Sequence, residues 1–79
     1  MNIYLLQQNE NRGYDTYDSI IVYAENEDNA KLIRPEEYTN WEDPYSAWAS
    51  SPNKVHVTYI GSTDEDVEEE VILASFNAG

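Results

Sequence analysis

The chain has 79 residues, 16 acidic and 4 basic, for a net charge of -12 at neutral pH. It has no cysteine and one histidine, His56, which excludes disulfides and a zinc centre built from Cys and His within one chain. The four cations, Arg12, Lys31, Arg34 and Lys54, are dispersed among sixteen carboxylates, which disfavours duplex nucleic acid and anionic membranes as partners and favours a basic protein or a ligand held in a pocket.

In chain order, Ile3 to Gln8 suits a first strand, and Asn9-Glu10-Asn11-Arg12-Gly13 is turn material. Neither the basic start nor the apolar stretch of a signal peptide precedes it, and no apolar run approaches the ~20 residues that span a bilayer, so a soluble cytoplasmic protein is expected. Asp18 to Ala24, rich in β-branched and aromatic residues, reads as the strongest strand. Asn26 can cap a two-turn helix with Glu27 and Asp28 in its first turn, Ala30 and Ile33 facing the sheet, and Pro35 stopping it after Arg34. The irregular stretch from Arg34 to Asn53 holds three prolines and both tryptophans. Within it Asp43-Pro44 predicts the start of a short helix reaching about Ser50.

Lys54 to Ile60 alternates Val55, Val57 and Tyr59 against His56, Thr58 and Ile60, a strand with one buried face that Gly61 ends. Ser62 to Glu70 is an acidic connector, and Val71 to Phe76 is a last strand. The order β-β-α-(short α)-β-β predicts a single α+β domain over residues 1–79, a four-stranded, mainly antiparallel sheet with helix on one face.

Leu, Ile, Val and Phe number only 16 of 79, close to the level of disordered chains. Seven Tyr and two Trp supply the missing apolar material, since each buried ring removes roughly 150–250 Å² from water. A thin core without disulfides or metal points to support from a partner subunit, so a homo-oligomer is expected.

Catalysis is hard to seat. One histidine, no cysteine and no Gly-x-Ser-x-Gly turn leave no nucleophile and base pair, so no enzyme is expected. The run Asp64-Glu65-Asp66 with Glu68-Glu69-Glu70 lacks the spacing and central glycine of an EF-hand, so it reads as a solvated connector, and neither a metal nor another cofactor is expected.

The segment Arg12 to Ser19 is the most distinctive. It places a cation, two rings (Tyr14, Tyr17), two carboxylates (Asp15, Asp18) and the hydroxyls of Thr16 and Ser19 within eight residues. Rings stack on a nucleobase, a carboxylate accepts from a purine edge, and Arg or hydroxyl groups meet phosphate oxygens. A loop whose tyrosines fold back on the core is the competing reading. Arg34 and the rings of Trp41, Tyr45 and Trp48 could join Tyr14 and Tyr17 in walling a pocket, the competing reading being that Trp41 and Trp48 serve as core, with Ser75 and Asn77 closing the pocket through hydroxyl and amide donors.

The strings Tyr14-Asp15-Thr16-Tyr17-Asp18-Ser19, Val22-Tyr23-Ala24-Glu25, Arg34-Pro35 and Ala74-Ser75-Phe76-Asn77-Ala78-Gly79 resemble a widespread set of small bacteriophage and prophage proteins. That set is similar to the phage anti-CBASS sponges, which bind cyclic dinucleotide signals such as 3′3′-cGAMP and hide them from host effectors. The resemblance implies a non-catalytic, immune-evasion binder of a cyclic nucleotide in the host cytoplasm, acting as a homo-oligomer. The alternative that the charge supports is an acidic inhibitor of a host defence protein, a DNA mimic of the anti-restriction or anti-CRISPR kind, using the carboxylates from Asp64 to Glu70.

Overall fold

A computed structural model describes residues 1–11, 13–35, 41 and 47–77. Four strands, β1 (Asn2–Gln7), β2 (Thr16–Ala24), β3 (His56–Ser62) and β4 (Glu70–Asn77), form one sheet in the order β3-β1-β2-β4, every neighbouring pair antiparallel. One short helix, α1 (Glu27–Lys31), lies against β1, β2 and β3, which makes the α+β architecture expected from the sequence.

Period-two alternation decides which face is covered. Tyr4 and Leu6 of β1 and Ile20, Val22 and Ala24 of β2 are buried under α1 and the following segment. Trp48, fully buried, is the largest side chain in this core, joined by Ala30, Ala49 and Val55. Both β2 and β3 run antiparallel to β1, so they point the same way and the chain between them must return along the sheet. That return explains the length of the irregular stretch, because parallel-running strands need a long crossover.

The side-chain oxygen of Asn26 accepts from the Asn29 amide at 2.8 Å, the cap expected from the sequence. The helix is shorter than expected, ending at Lys31 with Leu32 as its C-cap. The Leu32 and Ile33 amides bond carbonyls three residues back, those of Asn29 and Ala30, and Arg34 precedes a proline, a position that disfavours helical backbone. For the helix expected from Pro44 to about Ser50, residues 44–46 lie outside the described residues, and Ala47 to Ser50 are irregular. A 3₁₀ turn at Pro52–Lys54, with proline at its start, leads into β3 instead.

Gly61 does not end the third strand. The register of β3 on β1 shifts between Ile3 and Tyr4, leaving Ile60 as an extra residue, and pairing resumes with Gly61 opposite Ile3 and Ser62 opposite Asn2. The second strand also begins earlier than expected, at Thr16, because β4 extends to Asn77 and pairs with Thr16 and Tyr17.

The acidic connector joins the two edge strands across one end of the sheet. Three inter-strand steps of about 4.8 Å lie within reach of seven residues at about 3.3 Å each. Thr63 exchanges hydrogen bonds with Met1 (2.9 and 3.2 Å), and a carboxylate oxygen of Glu69 accepts from the Glu25 amide at 2.9 Å. No helix among the described residues is long and apolar enough to cross a membrane.

Candidate functional site

The end of the sheet opposite the acidic connector gathers the distinctive segments. β4 lays Asn77 beside Thr16, Phe76 beside Tyr17 and Ser75 beside Ser19, so residues 14–19 and 74–77, some sixty positions apart, are neighbours. A bulge at Asp18 sits within this pairing. The Asn77 side-chain amide donates to an Asp18 carboxylate oxygen at 2.8 Å and to the Thr16 hydroxyl at 3.4 Å, and the Asp15 amide donates to the Asn77 carbonyl. The Thr16 hydroxyl donates in turn to the Gly13 carbonyl at 2.7 Å. Asp15 has a φ of 61°, a left-handed conformation that Asp tolerates better than most residues and that lets the chain turn into β2.

Gln8 organises the loop in front of this cluster. Its side chain is buried and makes four hydrogen bonds: Nε2 donates to the Tyr17 and Asn11 carbonyls, both at 2.7 Å, and Oε1 accepts from the Glu10 and Asn11 amides, both at 2.9 Å. The amide thereby takes up two donors and one acceptor of the loop and ties them to the Tyr17 carbonyl of β2. Two further ties hold the loop to the segment carrying Trp48. The Asn11 side chain donates to the Trp48 carbonyl at 2.6 Å, and the Glu10 carboxylate accepts from the Ser50 amide (2.9 Å) and hydroxyl (3.0 Å). These two bonds, the backbone one first, hold the Glu10 pKa below its ordinary value against a weaker opposing effect of burial, and the charge of Lys54 adds the smallest contribution, in the lowering direction.

Beside the cluster lies an open groove of about 360 Å³ lined by Gln7, Gln8, Asn9, Asp18 and His56. It offers amide donors and acceptors, one carboxylate and one imidazole, a set suited to hydrogen-bonding the edge of a polar ring.

The candidate residues thus fall into separate groups. Asp15, Thr16, Asp18 and Asn77 come together, with Ser75 exposed on the adjoining strand. Tyr14, 81 % exposed, has its ring available for stacking. Tyr17 departs from the expectation of an open stacking ring. It is 7 % exposed, in the core, with its ring 4.8 Å from that of Phe76, so it holds the strand ends together. Thr16 is likewise buried, its hydroxyl spent on the loop. Arg34 and Trp41 form a second group, the guanidinium 5.8 Å from the ring centroid and the ring packed on the core, a cation–π pair. Arg12 and Tyr45 lie outside the described residues.

Sequence reasoning missed Gln7, Gln8, Asn9 and the placement of His56. The only signal was a run of three amide side chains at the end of a strand. Among the described residues, no three His, Cys, Asp or Glu side chains converge to hold a metal ion.

The far end of the molecule has a different character. Glu25, Glu27 and Asp28, where β2 leads into α1, and Asp64, Glu65, Asp66, Glu68, Glu69 and Glu70 of the connector and β4 are all exposed. Nine of the sixteen carboxylates are therefore carried by the segments at that end.

No protein-family profile, curated protein or solved structure matches this chain.

Proposed function

We propose that the protein binds and sequesters a small nucleotide signal without turning it over, in the manner of the phage sponges its distinctive strings resemble. A cyclic dinucleotide is the ligand class, engaged at the end of the sheet where residues 14–19 meet residues 74–77. The observation that supports this reading is that convergence: two of the strings that carry the resemblance lie side by side next to a polar groove. Asp18, oriented by Asn77, accepts from a purine edge; Gln7, Asn9 and His56 supply further hydrogen-bonding groups, and Tyr14 stacks.

A groove of 360 Å³ is near the lower end of the roughly 300–1,000 Å³ typical of ligand pockets, so one copy accommodates part of a two-base ligand. Net charge makes a distinctive demand. A chain at -12 repels a dianion at long range, so added salt should speed association by screening that repulsion. The test is calorimetric titration against a panel of cyclic di- and trinucleotides, with the ligand recovered afterwards. Saturable binding with intact nucleotide, lost in Asp18→Ala with the fold retained, supports the reading; no heat from any member, or recovery of a cleaved product, refutes it.

A second reading, the acidic inhibitor of a basic host protein, is favoured by the gathering of nine carboxylates at one end. It demands the opposite salt response, since attraction between opposite charges weakens as salt rises. Neutralising Asp64, Glu65 and Asp66 together would abolish that activity and leave nucleotide binding intact.

A further inference from the structure

The face of the sheet away from α1 has an unusual make-up for a strongly acidic chain. Strand register arranges it as three rows running β3-β1-β2-β4. The central row is Thr58, Leu5, Ile21 and Leu73; on one side lie Gly61, Ile3, Tyr23 and Glu70, and on the other His56, Gln7, Ser19 and Ser75. An antiparallel sheet with one solvated face ordinarily alternates apolar-in with polar-out. Here the outward positions of the central row are mostly aliphatic, and Leu73 is 63 % exposed. The bulged residues Ile60 and Ile72 are also exposed. Between β1, β2 and β4 the face holds a shallow hollow of about 150 Å³ lined by Leu5, Ile21, Leu73 and their neighbours. Of the twelve positions only Glu70, at a corner, is a carboxylate, although one residue in five of the chain is acidic.

We propose that this face is a homodimer interface, in which two copies pack sheet against sheet through the row Leu5, Ile21 and Leu73. Three observations select a second copy as the occupant. The face is the surface on which two polyanions approach with least repulsion, because its interior is uncharged and Glu70 lies at the rim. A basic partner would find no countercharge in the interior of the face and would be drawn to the acidic end instead. The area also suffices. Four strands about 4.8 Å apart and three rows about 6.6 Å apart give a footprint of roughly 20 by 20 Å, about 400 Å² in projection, which the relief of the side chains raises toward the roughly 600 Å² per copy at the lower end of specific interfaces. Face-to-face packing of two sheets some 10 Å apart is a common solution for such surfaces. Gln7 and His56 of the outer row also line the groove of the candidate site, so a second copy centred on Leu5, Ile21 and Leu73 borders that groove, while the packing argument itself does not depend on the ligand.

Sedimentation velocity on the full chain, from about 1 to about 500 µM at roughly physiological salt, tests it. The expected result is a species of twice the 9.1 kDa chain mass whose formation tightens as salt rises. Leu73→Glu, exposed in the single copy, should keep the monomer's circular dichroism and raise the dissociation constant by about 100-fold or more, because two-fold symmetry brings the new carboxylate into the interface twice. Thr58→Glu on the opposite edge strand should act the same way and decides the matter if Leu73→Glu fails to fold. A chain that sediments as a monomer throughout, or a dimer indifferent to both substitutions, overturns the proposal.

Discussion

Replacing Gln8 with leucine tests how the loop of the candidate site is held. The substitution keeps the volume similar and removes four hydrogen bonds, of which the 2.7 Å bond to the Tyr17 carbonyl is buried and the other three are partly so. A typical bond contributes about 1 kcal/mol net, and withdrawing a donor from a buried carbonyl costs about 1–3 kcal/mol. The three loop groups recover part of their loss by bonding water, and the leucine side chain contributes apolar burial of about 1 kcal/mol. The net expectation is a loss of about 2–4 kcal/mol, against a total of roughly 4–12 kcal/mol for a domain of this length. At about 4–8 °C per kcal/mol this lowers Tm by roughly 8–32 °C. Thermal and urea unfolding followed by near-ultraviolet circular dichroism read the stability, and amide exchange at Glu10 and Asn11 reads the loop. Gln8→Glu adds an internal control, since a carboxylate keeps the two acceptor bonds but turns a negative oxygen toward two carbonyls. Its penalty should shrink at low pH, where the protonated acid can donate once. A change below about 0.5 kcal/mol in Gln8→Leu, with Glu10 and Asn11 still protected, would refute the reasoning.

Further expectations follow from the same end of the sheet. The Glu10 carboxyl titrates below its ordinary value in the folded chain, so its contribution is complete above the unfolded pKa near 4.5 and is lost as pH falls through the lowered folded value. The pH dependence of stability below about pH 5 should therefore be flatter in Glu10→Gln than in the wild type, as urea midpoints would show. At Asp15, with φ of 61°, Asp15→Gly should be neutral or stabilising by up to about 1 kcal/mol, while Asp15→Val should cost about 1–2 kcal/mol. Equal effects of the two in thermal melts would contradict a left-handed backbone there. Asn26→Ala should cost about 1 kcal/mol through loss of the 2.8 Å cap to the Asn29 amide, measurable as a Tm shift of several degrees.

How much of this was legible depended on the range of the interactions. Asn26 capped a helix through its own neighbours and was readable from the chain, and the apolar, β-branched runs of β1 and β2 marked them as strands, but the covered face was not legible because Ile3, Leu5, Ile21 and Tyr23 on the open face are as apolar as Tyr4, Leu6, Ile20 and Val22 in the core. Tyr59 fitted the alternation expected for Lys54 to Ile60 yet is largely exposed, because β3 is an edge strand of the sheet. The bulges at Asp18, Ile60 and Ile72 arise from registers between strands and leave little trace in composition. Strand order was equally hidden, and with it the pairing of Thr16 and Tyr17 with Asn77 and Phe76. Gln8 resembled any polar residue at a strand end until loop closure surrounded it with four backbone partners. Burial of Tyr17 against Phe76 likewise required β4 to lie beside β2, which turned a candidate stacking ring into a core residue.

The most direct test of nucleotide sequestration is a titration of the ¹⁵N-labelled full chain with 3′3′-cGAMP, followed through its amide and side-chain amide resonances. Saturable shifts at Gln7, Gln8, Asn9, Tyr14 to Ser19, His56 and Ser75 to Asn77, with the nucleotide recovered intact, are the result this account expects. An unchanged spectrum at saturating nucleotide, or shifts confined to Asp64 to Glu70, would contradict it.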